Sequence, residues 1–189
     1  MPVPTLISQL STTASLNSPD GAVDTPSSID DYQRAHAAFI AQLYAATQNK
    51  PSFSVYKTSN QTGIANTTDT LVTWDVEEFD TNNSFASNRF TPKVEGNYLL
   101  NAHLLWVTGV DQSPYVIMIY KNGSLYKATR DSFSGSTSTL GNLPQNQITE
   151  IVKANGTTDY FEIYVWQGTG SSQTLAGSST NSVFSGVLL

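Results

Sequence analysis

DYFEIYVWQ, Asp159 to Gln167, sends its side chains alternately to two sides. Phe161, Ile163 and Val165 fall on one side, and Tyr160, Glu162, Tyr164 and Trp166 on the other. A period of two built from β-branched and aromatic residues is the pattern of a β-strand. The same vocabulary recurs in FSVYK (53–57), TLVTW (70–74), NYLLNAHLLWV (97–107), YVIMIYKNG (115–123), ITEIVKA (148–154) and SVFSGVLL (182–189). Clusters of Gly, Asn, Ser and Pro separate these runs, and Lys121-Asn122-Gly123 is a hairpin-turn signal. No helical pattern interrupts them after Pro51, which excludes a parallel βαβ architecture. The expected fold is mainly β, an antiparallel sandwich or jelly roll over residues 51–189.

Upstream the pattern changes. SIDDYQRAHAAFIAQLYAAT opens with Ser28 followed three residues later by Asp31, a capping-box-like start with Asp30 also favouring a helix N-terminus. Ile29, Tyr32, His36, Phe39 and Leu43 then fall at spacings of three and four, which predicts one short amphipathic helix ending before Asn49-Lys50-Pro51. Two heptads with a histidine in the seam are too little for an independent coiled coil. Residues 1–27 are rich in Pro, Ser, Thr and Asp and hold the turn signals SPDG (18–21) and DTPSS (24–28). They read either as a disordered leader or as an extended arm that orders when docked on a partner, with 28–50 as a helical stem and 51–189 as the head.

Composition narrows the function. The chain has 189 residues, a formal net charge of -6 and only 13% charged residues, without clustered Lys or Arg, so a nucleic-acid partner is not expected. There are no cysteines, which removes disulfides and thiolate chemistry. The N-terminus lacks the basic leader and apolar core of a secretory signal, and no run approaches the ~20 apolar residues of a membrane span. Neither a signal peptide nor membrane insertion is expected.

Residues 70–107 carry more than a strand pattern. Trp74-Asp75, Phe85, Phe90, Gly96, Tyr98 and Leu100 stand at the positions of the central signature of the C1q-like (C1q/TNF-type) jelly-roll family, which this chain resembles. DYFEIYVWQG resembles that family's penultimate strand and SVFSGVLL its closing strand, so the resemblance covers roughly the whole β region. The turn between Phe85 and Phe90 is shorter than usual, Leu100 replaces a Phe, and Val187 replaces an aromatic. The resemblance implies a homotrimer packed about a threefold axis, with DYFEIYVW and NYLLNAHLLWV among its interface strands. Leu100, Trp106, Phe161, Tyr164, Trp166, Phe184 and Leu188 are then candidates for interface or core. The segment SLNSPDG…DTPSSIDDYQRAHAAFIAQLY resembles leaders of phage and prophage tail-fibre and appendage proteins. That likeness implies a virion protein made in the host cytoplasm, attached through its arm and stem to other virion proteins, tail or capsid. Leu16, Ile29, Tyr32, His36, Phe39 and Leu43 are the candidate attachment and stem residues.

Catalytic constellations are not apparent. His36 and His103 are the only histidines, no metal-ligand spacing occurs, and no G-x-S-x-G elbow is present. Asp75, Glu77, Glu78 and Asp80 form the one acidic cluster, read as a solvated strand edge, with calcium ligation or a glycosidase pair as alternatives. The expectation is a non-enzyme without cofactor. Strand alternation, with the chain end returning to the base as the family resemblance implies, places the loops 108–113, 131–147 and 168–181 together at the far tip. Loops on a rigid scaffold are the usual place for recognition. Asp111, Gln112, Phe133, Leu140, Asn142, Gln145, Gln173 and Leu175 are therefore the candidate receptor-facing residues, for a host-surface glycan or protein. The leading expectation is a short trimeric phage fibre with a receptor-binding head. A capsid decoration or head-fibre protein, or a bacterial C1q-like adhesion module, are the alternatives.

Overall fold

A computed structural model describes residues 29–48, 50–135 and 143–189. The chain divides into two units, 1–50 and 51–189. In the first, α1 (Ile29–Gln48) matches the helix expected from the three-four spacing. Its stripe is not uniformly covered: Tyr32 and Phe39, two turns apart, are buried, whereas Ile29, His36 and Leu43 are exposed together with Ile40 and Tyr44. Periodicity selects a helix face, but burial depends on what each residue of that face meets. The arm (1–27), including Leu16, and the capping residue Ser28 lie outside the described residues.

The second unit holds β1 (Ser52–Tyr56), β2 (Gln61–Ile64), β3 (Thr70–Leu71), β4 (Val76–Asp80), β5 (Phe85–Ala86), β6 (Arg89–Phe90) and β7 (Glu95–Leu105). It continues with β8 (Pro114–Lys121), β9 (Ser124–Ser132), β10 (Gln145–Asn155), β11 (Phe161–Gln167), β12 (Gln173–Leu175) and β13 (Val183–Leu188). One sheet has the order β10-β7-β13-β1-β4 and the other β5-β6-β11-β8-β9, with β3 also pairing β11 and a small β12-β2 ribbon beside them. Every pairing is antiparallel, and β13 lies between β1 and β7. This is the expected antiparallel jelly roll. The closing strand brings the chain end back beside the start of the head: Leu188 N–H donates to Pro51 O (2.9 Å) and Leu189 N–H to Asn97 O (2.9 Å).

The core is the set of inward residues that alternation predicts. Tyr98, Leu100, Ala102 and Leu104 of β7 meet Phe161, Ile163 and Val165 of β11, with Phe53, Val55 and Phe184 beside them. At its centre the Phe53 ring stacks on Phe90 (centroids 4.3 Å apart) and meets Phe184 edge-on (4.9 Å). Trp74, Phe85 and Tyr98 complete this cluster, so the aromatic positions of the sequence signature converge in space. Gly186 is needed there: a Cβ on it would come within 2.6 Å of both Leu100 Cδ2 and Phe53 Cε1.

Two differences from the sequence reading, and one agreement, concern polar strands. TLVTW pairs only at 70–71 and β9 is a full strand although all nine of its residues are exposed, while the acidic stretch forms the edge strand β4 as expected. An edge strand such as β9 is held by a neighbour's backbone groups, so side-chain pattern does not announce it. Since β9 runs to Ser132 and β10 starts at Gln145, the loop expected over 131–147 contracts, and Gln145 is an exposed strand residue.

At the base, the β8–β9 hairpin turns at Asn122-Gly123, both with positive φ, as the KNG signal predicts. Asp159 ties this turn to the β10–β11 turn. It accepts from Asn122 Nδ2 (2.8 Å) and Asn155 N (3.0 Å) and pairs with Lys121 Nζ (2.9 Å). The Asn122 and Lys121 bonds hold its carboxyl below the usual Asp value, outweighing burial. A depressed folded pKa contributes stability that is present above the ordinary Asp value of 3.8 and lost as pH falls through the folded value. Asp159→Asn should therefore flatten the acid limb of the stability curve below that value, measured by urea midpoints against pH. Gly186→Val should lower stability by about 1–3 kcal/mol through overpacking against Phe53 and Leu100, read as a lower midpoint at constant urea dependence.

Candidate recognition surface at the loop end

Three chain crossings meet at the end of the sandwich opposite Pro51 and Leu189. The β7–β8 loop is fastened to the residues after β9: Gln112 N donates to Phe133 O (2.8 Å), Phe133 N to Ser113 O (3.1 Å) and Gly135 N to Asp111 Oδ1 (3.0 Å). It is also fastened to β12, through Val107 N to Thr174 O (2.9 Å) and Thr108 Oγ1 to Gln173 Oε1 (2.7 Å). Residues 107–113, 133–135 and 173–174 are thus together at that end, while 136–142 lie outside the described residues.

Beneath them lies a buried polar knot. Trp106 Nε1 donates to Asn146 Oδ1 (2.8 Å), and Asn146 Nδ2 donates to Tyr115 O (3.3 Å). The Trp106 and Tyr115 rings are 4.9 Å apart, and the Tyr115 hydroxyl accepts from Val110 N (3.0 Å). Burial raises the Tyr115 pKa, with the Val110 hydrogen bond opposing, so the phenol stays neutral. Gln167, fully buried, donates to Ile64 O and Ser171 O and accepts from Thr169, which shapes the 168–172 loop.

Several residues expected to face a receptor instead form this support. Phe133 is buried under Gly109, where a Cβ would sit 2.5 Å from the ring. Gln173 and Leu175 are buried in β12, Leu175 bridging to Trp106. A long loop needs its own small core, and its bulky residues supply it. Asp111 and Gln112 are exposed at the tip as expected, with Val107 and Val110 beside them. Leu140 and Asn142 lie outside the described residues. Sequence reasoning missed Tyr115, Asn146 and Gln167, because a polar residue that ties loops looks like one that faces water. A hollow of about 430 Å³ opens nearby, lined by His103, Leu105, Gln145, Gln147, Thr180 and Asn181.

The interface candidates divide. Leu100, Trp106, Phe161 and Phe184 are fully buried core, and Leu188 packs against that core. Tyr164 and Trp166 point out of the six-stranded sheet and are partly exposed. The acidic cluster also divides. Asp75 accepts from Thr58 N (2.6 Å) and Ser59 N (3.1 Å), and Asp80 accepts from Asn82, Ser84 and Phe85 N–H groups. Burial pushes the Asp75 pKa up, but those N–H groups and Lys57 bring it below the usual value. Among the described residues no group of three His, Asp or Glu side chains is placed to hold a metal ion, and no helix is long and apolar enough to cross a membrane.

No family model and no curated protein matches this sequence. The structure is similar to murine APRIL at pH 5.0 (TM-score 0.54, 11% identity) and at pH 8.5 (TM-score 0.53, 12% identity). Each likeness covers 74% of this chain and 99% of the other. The head has a TNF-like jelly-roll fold. At these identities the likeness concerns the fold and leaves function to the surfaces.

Asn146→Ala should leave the buried Trp106 indole N–H without its acceptor and cost about 1–3 kcal/mol. Loss of near-ultraviolet tryptophan ellipticity together with a lower urea midpoint would register it.

Proposed function

We propose that this protein is a non-enzymatic structural component of a phage virion, a short trimeric fibre. Its N-terminal arm and stem attach to the particle and its head meets the host surface. One observation carries the reading: loops 108–113, 133–135 and 168–176 are laced together at the end of the head opposite Pro51, where the preceding chain joins. A rigid head that collects its exposed polar loops away from its attachment side is built to present them. Three copies would add avidity for a repeated ligand.

The trimer is supported by the outer face of the five-stranded sheet. Ile151, Leu99 and Val187 stand side by side across β10, β7 and β13, with Ile151 58% exposed. An apolar row across three strands on an open sheet face is suited to burial against another chain. Of the two strands expected at the interface, β7 contributes to this row, whereas β11 lies in the other sheet.

Sedimentation equilibrium should give three times the chain mass, and Ile151→Lys with Leu99→Lys should give monomers that keep their β circular-dichroism spectrum. Monomeric wild type would sink the trimer. Particles carrying Asp111→Ala and Gln112→Ala, with loop 168–172 exchanged for an unrelated turn, should adsorb to host cells poorly while still containing the protein. Normal adsorption would sink the role of the loop end.

A further inference from the structure

The outward side of β11 is unlike the other strand faces exposed to solvent. Tyr160, just before the strand, and Tyr164 and Trp166 within it share that side with Glu162, and all three aromatic rings are partly exposed. Tyr120 of β8 adds a fourth, stacked on Tyr164 with ring centroids 4.1 Å apart and planes 27° apart. Met118, opposite Tyr164 in register and only 4% exposed, forms the floor.

These rings are held in place. The Arg89 guanidinium lies 3.7 Å from the Tyr160 ring centroid, and Arg89 donates to the buried Glu162 carboxylate through Nε (3.1 Å) and Nη2 (2.9 Å). The Tyr120 hydroxyl donates to Asp69. Burial, reinforced by Asp69, pushes the Tyr120 pKa up to about 12, so that donor persists through the physiological range. Aromatic side chains already fixed by stacking lose little entropy when a ligand arrives.

The formal charges of the face sum to zero. Arg89 is opposed by Glu162, and Asp69 is engaged by a neutral phenol, with Arg130 standing opposite Val116 one strand away. At the same time the hydroxyls of Tyr160 and Tyr164 and the indole N–H of Trp166 make no hydrogen bond within the described residues. The face therefore combines apolar ring surface, unused neutral donors and acceptors at the ring edges, and no net charge. A protein partner's apolar anchor would leave those edges unpaired, at a cost. An anionic ligand would find Arg89 already bound to Glu162 and would meet the Asp69 carboxylate beside Tyr120. A sugar ring, with apolar C–H faces and a rim of hydroxyls, satisfies both requirements.

We infer that the outer face of β11 and β8, centred on Tyr164 and Trp166, is a binding platform for neutral oligosaccharides. It is separate from the loop end, and it rests on the attachment reading only for its place in host adsorption.

The test uses the full-length protein and a panel of neutral hexose oligosaccharides (gluco-, galacto- and manno- series), with heparin oligosaccharides as an anionic comparison. Saturation-transfer NMR and tryptophan fluorescence report binding, and sedimentation reports assembly. The expected result is saturable binding of at least one neutral series, weakened about tenfold or more by Tyr164→Ala or Trp166→Ala. Trp166→Phe should retain most of the affinity. Assembly and urea midpoint should stay unchanged in the Trp166 variants. Absence of neutral binding, binding of heparin alone, or affinity unchanged in both alanine variants would overturn the inference. So would a change of assembly state on Trp166→Ala, since the face would then be a subunit contact. Gly168 packs on the Trp166 ring, so the loop-end reading is separated from this one by Asp111→Ala and Gln112→Ala, whose partners are Gly135 and Phe133. Loss of adsorption in those variants with neutral binding retained, or the reverse, makes the two failures distinguishable.

Discussion

The Phe53 ring lies flat on Phe90 of the opposite sheet and passes beside the bare backbone of Gly186, with Phe184 edge-on to it. The sandwich closes around that contact. Phe53 is in β1, Phe184 and Gly186 are in the closing strand β13, and Phe90 is in the short β6, so the interaction joins the first and last strands of the head to the facing sheet. It demands a large ring and a missing side chain at the same level, because a packed interior has no room for both a ring and an extra methyl group. Once β13 is held between β1 and β7, Pro51 and Leu189 are fixed at one end, and the connections fall at known ends of the sheets.

That placement separates the head into surfaces with different chemistry. The loop end is polar and laced by side-chain hydrogen bonds over a small buried knot of Trp106, Asn146 and Tyr115. The outer face of the five-stranded sheet carries an apolar row, and the outer face of the six-stranded sheet carries fixed aromatic rings with neutralised charges. The exposed edge strand β9 is guarded by Lys127 and Arg130, with Lys127 reaching Glu150 of β10 at 4.0 Å. Charged residues on an open edge discourage pairing with further strands.

The likeness to solved structures sits at the level of this closure and not of the surfaces. At 11% identity the shared property is the order in which strands pair around a core, which many sequences satisfy. The function proposed for this chain therefore rests on what is particular to it: which loops are gathered, which face is apolar, and where unused hydrogen-bonding groups stand beside aromatic rings.

The sequence alone determined the strands with a buried and an exposed side, the helix Ile29–Gln48, the hairpin at Asn122-Gly123 and the aromatic positions that meet around Phe53. Those features are local: a period of two or of 3.6, a turn residue that tolerates positive φ, a ring spaced to face inward. Strand alternation, together with the family topology for the chain end, led to the expectation that the three long loops share one end, and the described parts of those loops, 107–113, 133–135 and 168–176, do meet there. Tertiary structure decided the rest. Whether Gln173, Leu175 and Phe133 face a partner or support a loop depends on neighbours far away in sequence, and they support it. That Tyr164 and Trp166 share a side opposite Phe161 and Ile163 was legible, but which side meets the core, the stacking of Tyr120 and the neutralisation of Glu162 by Arg89 were not. Those contacts join residues of different strands, and only the pairing register places them side by side.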